Sequence, residues 1–417
     1  MERFLTLFWL FLIPTQLGRH FWLKESSVLG ARVDYLSIIL YLTDIVWFLW
    51  VISKRKDFRF KILKEKIFSF KNFMLLLFVV VNIIFATAKW VAVYRWLRIG
   101  QWFLTWYLVK INKKEIISGL KKVIPVWIIL EVFLSLAQVI NGGSLNGIWW
   151  WLGERRFTYG GIGIAQLRFF DEGWIRAYGT FSHPNSLAGF LLLSWWWWKS
   201  NLPPTPFFNK MGRWIVNWSV ILGIILTGSR VIWGLTAIML IWDQISIKSL
   251  KLHVKSKKFK RELIGKICLV LGITCLALGV ISINYRVSDF VGGWDINSWN
   301  KREMLGLSAV KTIEKSPLFG VGAGNFVVNL PKYQSGNFYW MQPVHNVFLL
   351  IWSEIGMLGI IGIGVFLTTN NSFQILRLVN RKYWWILAIV GVSGMFDHYW
   401  ITLPQNTWLL ALILGLI

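Results

Sequence analysis

Apolar stretches of roughly 20 residues recur along the whole chain, and this repetition restricts the fold more than any other feature. A helix needs about 20 apolar residues to cross a hydrocarbon core of roughly 30 Å. With 56% hydrophobic residues, 29 Trp and 30 Phe, the chain of 417 residues carries more apolar surface than a water-soluble domain can bury. We therefore predict an all-α integral membrane protein, one polytopic domain over residues 1–417, with about twelve transmembrane helices at residues 4–23, 35–52, 70–87, 90–109, 123–140, 186–198, 214–226, 231–247, 267–283, 347–367, 383–396 and 407–417.

The basic residues give this bundle an orientation. The formal net charge is +26, and 28 of the 45 Lys and Arg residues lie at the N-terminus or in alternate loops, at residues 53–71, 110–122, 199–213, 248–266 and 371–382. Cytoplasmic loops of membrane proteins carry such an excess of positive charge. We predict that both termini are cytoplasmic and that two long loops, 141–185 and 284–345, face the periplasm or the exterior. Attraction to anionic lipid headgroups explains the basic loops without nucleic-acid binding.

A histidine stands where the second long loop meets an apolar stretch. His345 and Asn346 directly precede the predicted helix at 347–367. A titratable imidazole at the mouth of a transmembrane helix suits proton transfer at a membrane surface. His345 is therefore the candidate catalytic residue, either as a general base or as a group that contacts an anionic substrate, and Asn346 is a supporting residue.

The first long loop ends on a second group of candidates. Arg176 comes shortly before His183-Pro184-Asn185-Ser186, in which Pro184 fits a helix start and Asn185 or Ser186 can cap the helix. A capped helix N-terminus at the outer face is also a suitable anion site. His183 and Asn185 either support such a site or only form a turn and a cap. Arg176 either binds the anion or anchors the helix at the interface.

Two further arginines follow in external segments. Arg230 lies in a four-residue turn, where a charge close to hydrocarbon is costly, and its planar guanidinium suits phosphate oxygens. Arg302 opens a segment that ends before Pro317. In this segment apolar residues recur at helical spacing, which predicts an amphipathic helix on the outer surface with the face Met304, Leu307, Val310 and Ile313.

Two conspicuous strings receive structural interpretations. The string Gly320-Val-Gly-Ala-Gly-Asn-Phe imitates a nucleotide-binding loop, but it follows a helix and a proline where such a loop follows a strand. It is interpreted as a flexible loop over a cavity. The run Trp195–Trp198 is interpreted as an interfacial belt at a helix end.

Some charged residues fall within or beside the predicted helices. Arg95 and Arg98 lie on one helix face, and they either extend a cationic lining or pair with Asp44 and Glu131. Asp397 lies near the end of a predicted helix. No His, Asp or Glu residues have the sequence spacing of a metal site, so neither a metal nor another cofactor is expected.

Four blocks in order resemble the O-antigen ligase and polymerase superfamily of bacterial envelope glycosyltransferases. They are Arg176-Ala-Tyr-Gly-Thr-Phe-Ser-His-Pro-Asn-Ser-Leu-Ala, Leu226-Thr-Gly-Ser-Arg, Arg302 through Pro317-Leu-Phe-Gly-Val-Gly-Ala-Gly-Asn-Phe, and His345-Asn with Gly356 eleven residues after the His. With the predicted topology they mark residues 176–367 as the O-antigen ligase-like region. The ligase pattern of Arg followed by Leu four residues later is not met, because Gly234 stands there, and this leaves ligase and polymerase open.

The resemblance implies a metal-independent, inverting glycosyltransferase of the bacterial inner membrane. Such an enzyme moves a glycan from an undecaprenyl diphosphate carrier to an acceptor hydroxyl, on lipid A–core or a similar surface acceptor, at the periplasmic face. The resemblance also implies that Arg176, Arg230 and Arg302 bind the diphosphate and that His345 is essential. An O-antigen or exopolysaccharide polymerase is the alternative, and a polysaccharide transporter is a further one. Expected partners are the lipid-linked donor, the glycan or lipid acceptor, membrane lipids and other polysaccharide-assembly proteins.

Overall fold

The computed structural model describes residues 1–57, 70–161, 163–169, 172–201, 210–251, 296–334, 340–369 and 383–417. This described part is mostly helical, as the sequence predicts. A π-helical turn spans Ala388–Val392. The α-helices of the described residues are α1 (Glu2–Leu12), α2 (Leu42–Ser53), α3 (Phe70–Ile84), α4 (Lys89–Ile111), α5 (Lys113–Asn141), α6 (Ile148–Trp151), α7 (Pro184–Asn201), α8 (Lys210–Thr227), α9 (Arg230–Lys251), α10 (Ile296–Lys315), α11 (Phe326–Asn329), α12 (Val347–Thr369), α13 (Trp384–Leu387), α14 (Ser393–Phe396), α15 (Tyr399–Thr402) and α16 (Pro404–Gly415).

Small antiparallel sheets interrupt the expected all-α architecture. The first two predicted membrane helices are wrong in extent, because α1 ends at Leu12 and the chain then forms a strand that pairs with the segment before α2. Pro14 cannot continue a helix, and the β-branched pair Ile38 and Ile39 favours extended backbone. With 11 and 12 residues, α1 and α2 are each about 16–18 Å long. The two-stranded sheets pair β1 (Gly18–Phe21) with β4 (Ile38–Tyr41), β2 (Ser27–Val28) with β3 (Ala31–Arg32), and β5 (Gln166–Phe169) with β6 (Glu172–Ile175).

Two helices of the described residues, Lys113–Asn141 and Val347–Val365, have the length and apolar composition needed to cross a membrane. Helices buried in the core of a soluble protein also meet these two criteria. The twelve-helix topology therefore stays a prediction. The predicted helix at 267–283 and most of the basic loops at 248–266 and 371–382 lie outside the described residues.

Helix α7 lies at the centre of the largest hydrophobic core. It packs against α5, α8, α9 and α16, and its residues from Ser186 to Trp198 are buried. The run Trp195–Trp198 is therefore a core element, and its interpretation as an interfacial belt is wrong. Trp195 Nε1 donates to Asn217 Oδ1 at 2.8 Å, and Trp198 Nε1 donates to the Lys121 carbonyl at 3.1 Å. These bonds satisfy both indole N–H groups inside the protein.

Helix α10 is the amphipathic helix that the sequence predicts, and it ends just before Pro317. Leu307 and Val310 of its predicted apolar face are exposed, so this face does not pack into the protein core. The buried side chains are instead Leu305, Ser308, Ala309 and Thr312, since α10 packs against α12 and α11 through the adjacent stripe.

The glycine string packs tightly against an interruption of α12. Gly356 has φ +64°, outside the helical region, and a Cβ there would lie 2.3 Å from the Leu318 carbonyl oxygen. A Cβ at Gly320 would lie 2.4 Å from the Glu354 backbone. The amides of Val321 and Gly322 donate to the carbonyls of Ser353 and Glu354, each at 2.9 Å. The string is thus a close-packed brace for α12, which corrects the expectation of a flexible loop over a cavity.

Candidate functional site

The site forms where the start of α12 meets the turn between α14 and α15. Asn346 caps α12, because its Oδ1 accepts from the amides of Phe348 at 2.9 Å and Leu349 at 3.0 Å. Its Nδ2 also donates to the Met395 carbonyl at 3.2 Å. Asn346 therefore ties the segment that carries His345 to the turn that carries Asp397 and His398.

Three titratable side chains meet at this junction. His345 Nδ1 lies 3.4 Å from Asp397 Oδ1, and this nitrogen is buried without a hydrogen-bond partner among the described residues. The His345 and His398 rings are 5.3 Å apart between centroids. His398 Nδ1 is 2.7 Å from Thr402 Oγ1. The imidazole of His345 thus has one nitrogen facing a carboxylate, the arrangement that can orient a proton-accepting histidine.

Asp397 connects this junction to the first long loop. Its Oδ2 accepts from Asn185 Nδ2 at 2.8 Å, and Asn185 Oδ1 accepts from Arg176 Nη2 at 2.6 Å. Arg176 Nε also donates to the Thr227 carbonyl at 2.6 Å. Two side-chain hydrogen bonds therefore link the guanidinium of Arg176 to the carboxylate beside His345.

Electrostatics keeps Asp397 ionised. Burial raises the pKa of its carboxyl, but the neighbouring His345 ring, 3.4 Å away, outweighs burial and brings the pKa well below its ordinary value. Burial lowers the pKa of the His398 imidazole to about 3. The junction therefore holds an anionic Asp397 beside a neutral His398.

The three predicted arginines act on one another. Burial, helped by the positive charges of Arg302 and Arg230, lowers the pKa of Arg176 to about 10. Burial, followed by the charge of Arg302, also lowers the pKa of Arg230. Arg230 lies exposed at the first residue of α9, and Arg302 is half-buried in α10. These three sequence-distant guanidiniums are therefore within electrostatic reach of one another, and they are called here the arginine triad.

His183 and Asn185 have roles other than a simple cap. In the first turn of α7 the amides of Ser186 and Leu187 donate to the His183 carbonyl, while the Asn185 side chain bridges Arg176 and Asp397. Asn185 N donates to His183 Nδ1 at 3.2 Å, and burial lowers the pKa of this imidazole to about 3. The prediction that Asn185 or Ser186 caps the helix is wrong, because both side chains bond to other residues: Ser186 Oγ donates to Asn406 Oδ1. A neutral His183 holds the backbone of Asn185 in place.

The sequence placed Asp397 only as a charge near a helix end and did not single out His398. These residues lie more than fifty positions from His345, so local spacing cannot associate them. One sequence feature could have identified them: the polar pair Asp397-His398 directly follows the apolar segment that ends at Phe396. The predicted topology places this pair at the same membrane face as His345.

A cavity of about 800 Å³ adjoins the junction. His183 and Thr402 contribute to its wall, and Thr402 bonds to His398. Arg95 and Arg98 also line it, which agrees with a cationic lining. The alternative, pairing of these arginines with Asp44 and Glu131, also holds in part. Arg98 is bonded to Asp44, but Glu131 bonds to Thr180.

The junction also has a geometry that metal ions use. One ligand atom from each of His345, Asp397 and His398 lies within 4.8 Å of the other two. His345 lies too far from Asp397 and His398 in the sequence for local spacing to reveal this cluster. The donor set of two imidazoles and a carboxylate would fit zinc or a similar transition ion. The positive charges of Arg95 and Lys301, which lower the pKa of His398, oppose a further cation here.

Comparison with known proteins agrees with the blocks in the sequence. Residues 215–364 match the family model described as O-antigen ligase. This match confirms the resemblance to the O-antigen ligase superfamily, whose members are bacterial membrane proteins. It includes Arg230, Arg302, His345 and Asn346, whereas Arg176, His183, Asn185 and Asp397 lie outside the matched residues. No curated protein sequence matches the chain.

Proposed function

We propose that the protein is an O-antigen ligase-like glycosyltransferase. It transfers a glycan from an undecaprenyl diphosphate carrier to an acceptor hydroxyl, on lipid A–core or a similar surface acceptor, at the periplasmic face of the inner membrane. One observation carries the proposal: the hydrogen bonds Arg176–Asn185–Asp397 connect the arginine triad to the carboxylate beside His345. A group that stabilises a leaving diphosphate and a group that accepts a proton are thereby held in one network.

The arginine triad serves the leaving group in this proposal. When the bond between sugar and diphosphate breaks, negative charge develops on the diphosphate, and fixed positive charge lowers the energy of that transition state. Guanidinium groups bind phosphate oxygens in pairs, which also orients the donor. The triad meets this need without a metal ion, in agreement with the metal-independent chemistry that we propose.

His345 serves as general base. Its Nδ1 faces Asp397, so Nε2 is the nitrogen that accepts the proton of the acceptor hydroxyl. The hydroxyl oxygen bonds to the anomeric carbon as the carbon–oxygen bond to the diphosphate breaks, which inverts the configuration. Asp397 stabilises the imidazolium that forms. In a second assignment of the same residue, His345 contacts the diphosphate directly.

Two other activities deserve separate tests. A polymerase of the same superfamily would use a second lipid-linked glycan as acceptor, and Gly234 in place of the ligase Leu is the feature that keeps it open. A transporter would use an interrupted helix to bind its substrate. In α12 the groups freed at the interruption are instead bonded by Val321 and Gly322, which favours an enzyme.

Topology is testable by labelling. In a chain with Cys268 and Cys275 replaced by Ser, we expect Tyr159→Cys and Lys311→Cys to react with an impermeant thiol reagent in intact spheroplasts. Lys114→Cys, equally exposed but in a predicted cytoplasmic loop, should react only after lysis. The reverse pattern would place the arginine triad in the cytoplasm and contradict the proposal.

Transfer activity tests the arginine triad. With a purified lipid-linked donor and acceptor, Arg230→Ala should lower turnover on the order of 10²-fold, and Arg230→Lys should recover only part of it because an ammonium lacks the bidentate fork. Arg176→Ala should show the same order with a smaller loss. Arg32→Ala, an exposed arginine that contacts the Trp22 ring, is the control. Wild-type turnover in Arg230→Ala would contradict the proposed function.

A further inference from the structure

The cavity beside the junction has a strongly basic wall. Five basic side chains line it, against two acidic ones, Asp34 and Glu154. Glu154 is buried, and its oxygens accept from Gln138 Nε2 and from the amides of Leu145 and Asn146. That carboxylate is therefore occupied by the protein. The basic side chains are Arg95, Arg98, Arg155, Arg156 and Lys301.

Two of these cations are available to a ligand. Arg98 is bonded to Asp44, and Arg95 Nη2 donates to the Tyr35 carbonyl at 3.1 Å. Arg155 and Arg156 are exposed, and neither forms an ion pair with a described residue. Within the described ranges, the side chains of this pair make one hydrogen bond, a long contact of 3.4 Å from Arg155 Nη1 to the Ser182 carbonyl. Adjacent guanidiniums of this kind bind carboxylate or phosphate groups.

Aromatic rings complete the wall. Trp102 is half-buried and Trp150 is 41% exposed, so both present ring surface to the cavity. Lys301 Nζ lies 4.9 Å from the centre of the Trp340 ring. Flat aromatic surface combined with a few placed polar groups is typical of sites for small organic ligands, and about 300–1,000 Å³ is their usual size.

The cavity is separate from the arginine triad but touches the junction. Arg176, Arg230 and Arg302 are not among its lining residues, so a diphosphate held by the triad leaves the cavity free. His183 and Thr402 line it, and Thr402 bonds to His398. A molecule in the cavity would therefore lie next to the histidines without occupying the donor's place.

We propose that this cavity binds an acidic oligosaccharide as the acceptor. Its carboxylate or phosphate groups are bound by Arg155 and Arg156, and its sugar rings lie against Trp102 and Trp150. The acceptor role rests on the proposed glycosyltransferase activity, whereas the preference for an acidic saccharide rests on the cavity wall alone.

Calorimetric titration of the purified full-length protein in detergent, without donor, tests the preference. The probes are tetragalacturonate, maltotetraose carrying a phosphate, and neutral maltotetraose. We expect at least one acidic probe to bind about 10-fold more tightly than the neutral one, a gain within the range of charged hydrogen bonds. Raising NaCl to about 0.5 M should remove this difference, because exposed charges are then screened. The tighter of the two acidic probes identifies carboxylate or phosphate as the recognised group.

The double variant Arg155→Gln, Arg156→Gln should lose the preference and keep the affinity for neutral maltotetraose, which also reports that the cavity is intact. Arg19→Gln, an exposed arginine outside the cavity wall, should keep the preference. Equal binding of all three probes, or an unchanged preference in the double variant, would overturn the inference. Absence of transfer by a wild-type protein that retains the preference would overturn the acceptor role and the proposed function, but not the acidic-saccharide site.

Discussion

Two buried carboxyl side chains, Glu131 and Asp397, differ in what surrounds them. Glu131 in α5 is 3% exposed, and its oxygens meet the amide of Thr180 at 2.9 Å and the hydroxyl of the same residue at 2.7 Å. Asp397 is 5% exposed, and its oxygens meet Asn185 and the ring of His345. One carboxyl group is bonded to a single loop residue, whereas the other lies between side chains from two separate segments, those of Asn185 and His345.

In the proposed function, this difference separates a structural carboxyl group from one that takes part in proton transfer. Buried polar groups are normally satisfied by hydrogen bonds, so burial alone says nothing about chemistry. Glu131 holds Thr180, and with it the loop between Arg176 and Asn185, in position. Asp397 instead borders His345 Nδ1, a buried nitrogen without a partner among the described residues. An incompletely satisfied, titratable neighbour is what a proton-transfer site requires.

The largest expected effect is at His345. If His345 is the general base, His345→Ala should lower turnover on the order of 10²–10⁴-fold while donor affinity changes little. If it contacts the diphosphate, donor affinity should fall together with turnover. Turnover and donor binding measured on one purified preparation distinguish these outcomes. Wild-type turnover in His345→Ala would mean that His345 is not catalytic. Asp397, which acts through His345, would then have no functional role that Glu131 lacks.

Matched amide substitutions test the comparison directly. Asp397→Asn should lower turnover per folded molecule about 10²-fold, since the carboxylate orients and stabilises the His345 imidazolium. It should also lower the free energy of unfolding, because the Asn185 amide and the His398 backbone amide then share one acceptor oxygen. Glu131→Gln should keep turnover per folded molecule and lower the free energy of unfolding by about 1–3 kcal/mol, since one Thr180 donor loses its acceptor. Turnover per folded molecule, with the folded fraction taken from melting curves, is the measurement. Retained turnover in Asp397→Asn, or lost turnover in Glu131→Gln, would refute the comparison.

The structure explains which parts of this comparison the sequence could predict. His345-Asn346 was predicted to precede a helix, and Asn346 caps α12 as that pattern requires. The pairing of Glu131 was not predictable, because an acidic residue in an apolar segment can bond to an arginine or to a loop amide. The link between Asp397 and His345 depends on the packing of α12 against α14, and no local pattern encodes that contact.

The central core shows the same limit. A run of four tryptophans near a helix end is compatible with a membrane interface or with a buried core, and only the helices around α7 decide for the core. In α10 the apolar periodicity correctly predicted the helix. It missed the buried face because Ser308 and Thr312, bonded to their own helix carbonyls, can be buried as readily as apolar residues.

Acid should destabilise the protein through His183, which borders both the cavity and Asn185. Burial lowers the pKa of this imidazole from its ordinary value of 6.5 to about 3. Between these pH values the unfolded chain binds a proton at His183 and the folded protein does not. Stability should fall as the pH decreases from 6.5 towards 3. His183→Asn should reduce this slope by up to about 1.4 kcal/mol per pH unit. Unfolding measured across this range is the test, with His20→Asn at an exposed site as control; an identical slope in His183→Asn and wild type would contradict it.

The smallest expected effect is that of chelation, and it concerns the same carboxylate. His345, Asp397 and His398 have the geometry of a metal site, so a cation there would turn the proposed base into a ligand. Asp397 is already bonded through Asn185 to the positive Arg176, and Arg95 and Lys301 add positive charge near His398. These charges reduce the affinity for a further cation. We therefore expect EDTA treatment, checked by metal analysis, to leave turnover unchanged. Loss of turnover that a divalent ion restores would instead show that Asp397 serves a metal, and His345 would then hold that metal and could not accept the acceptor's proton.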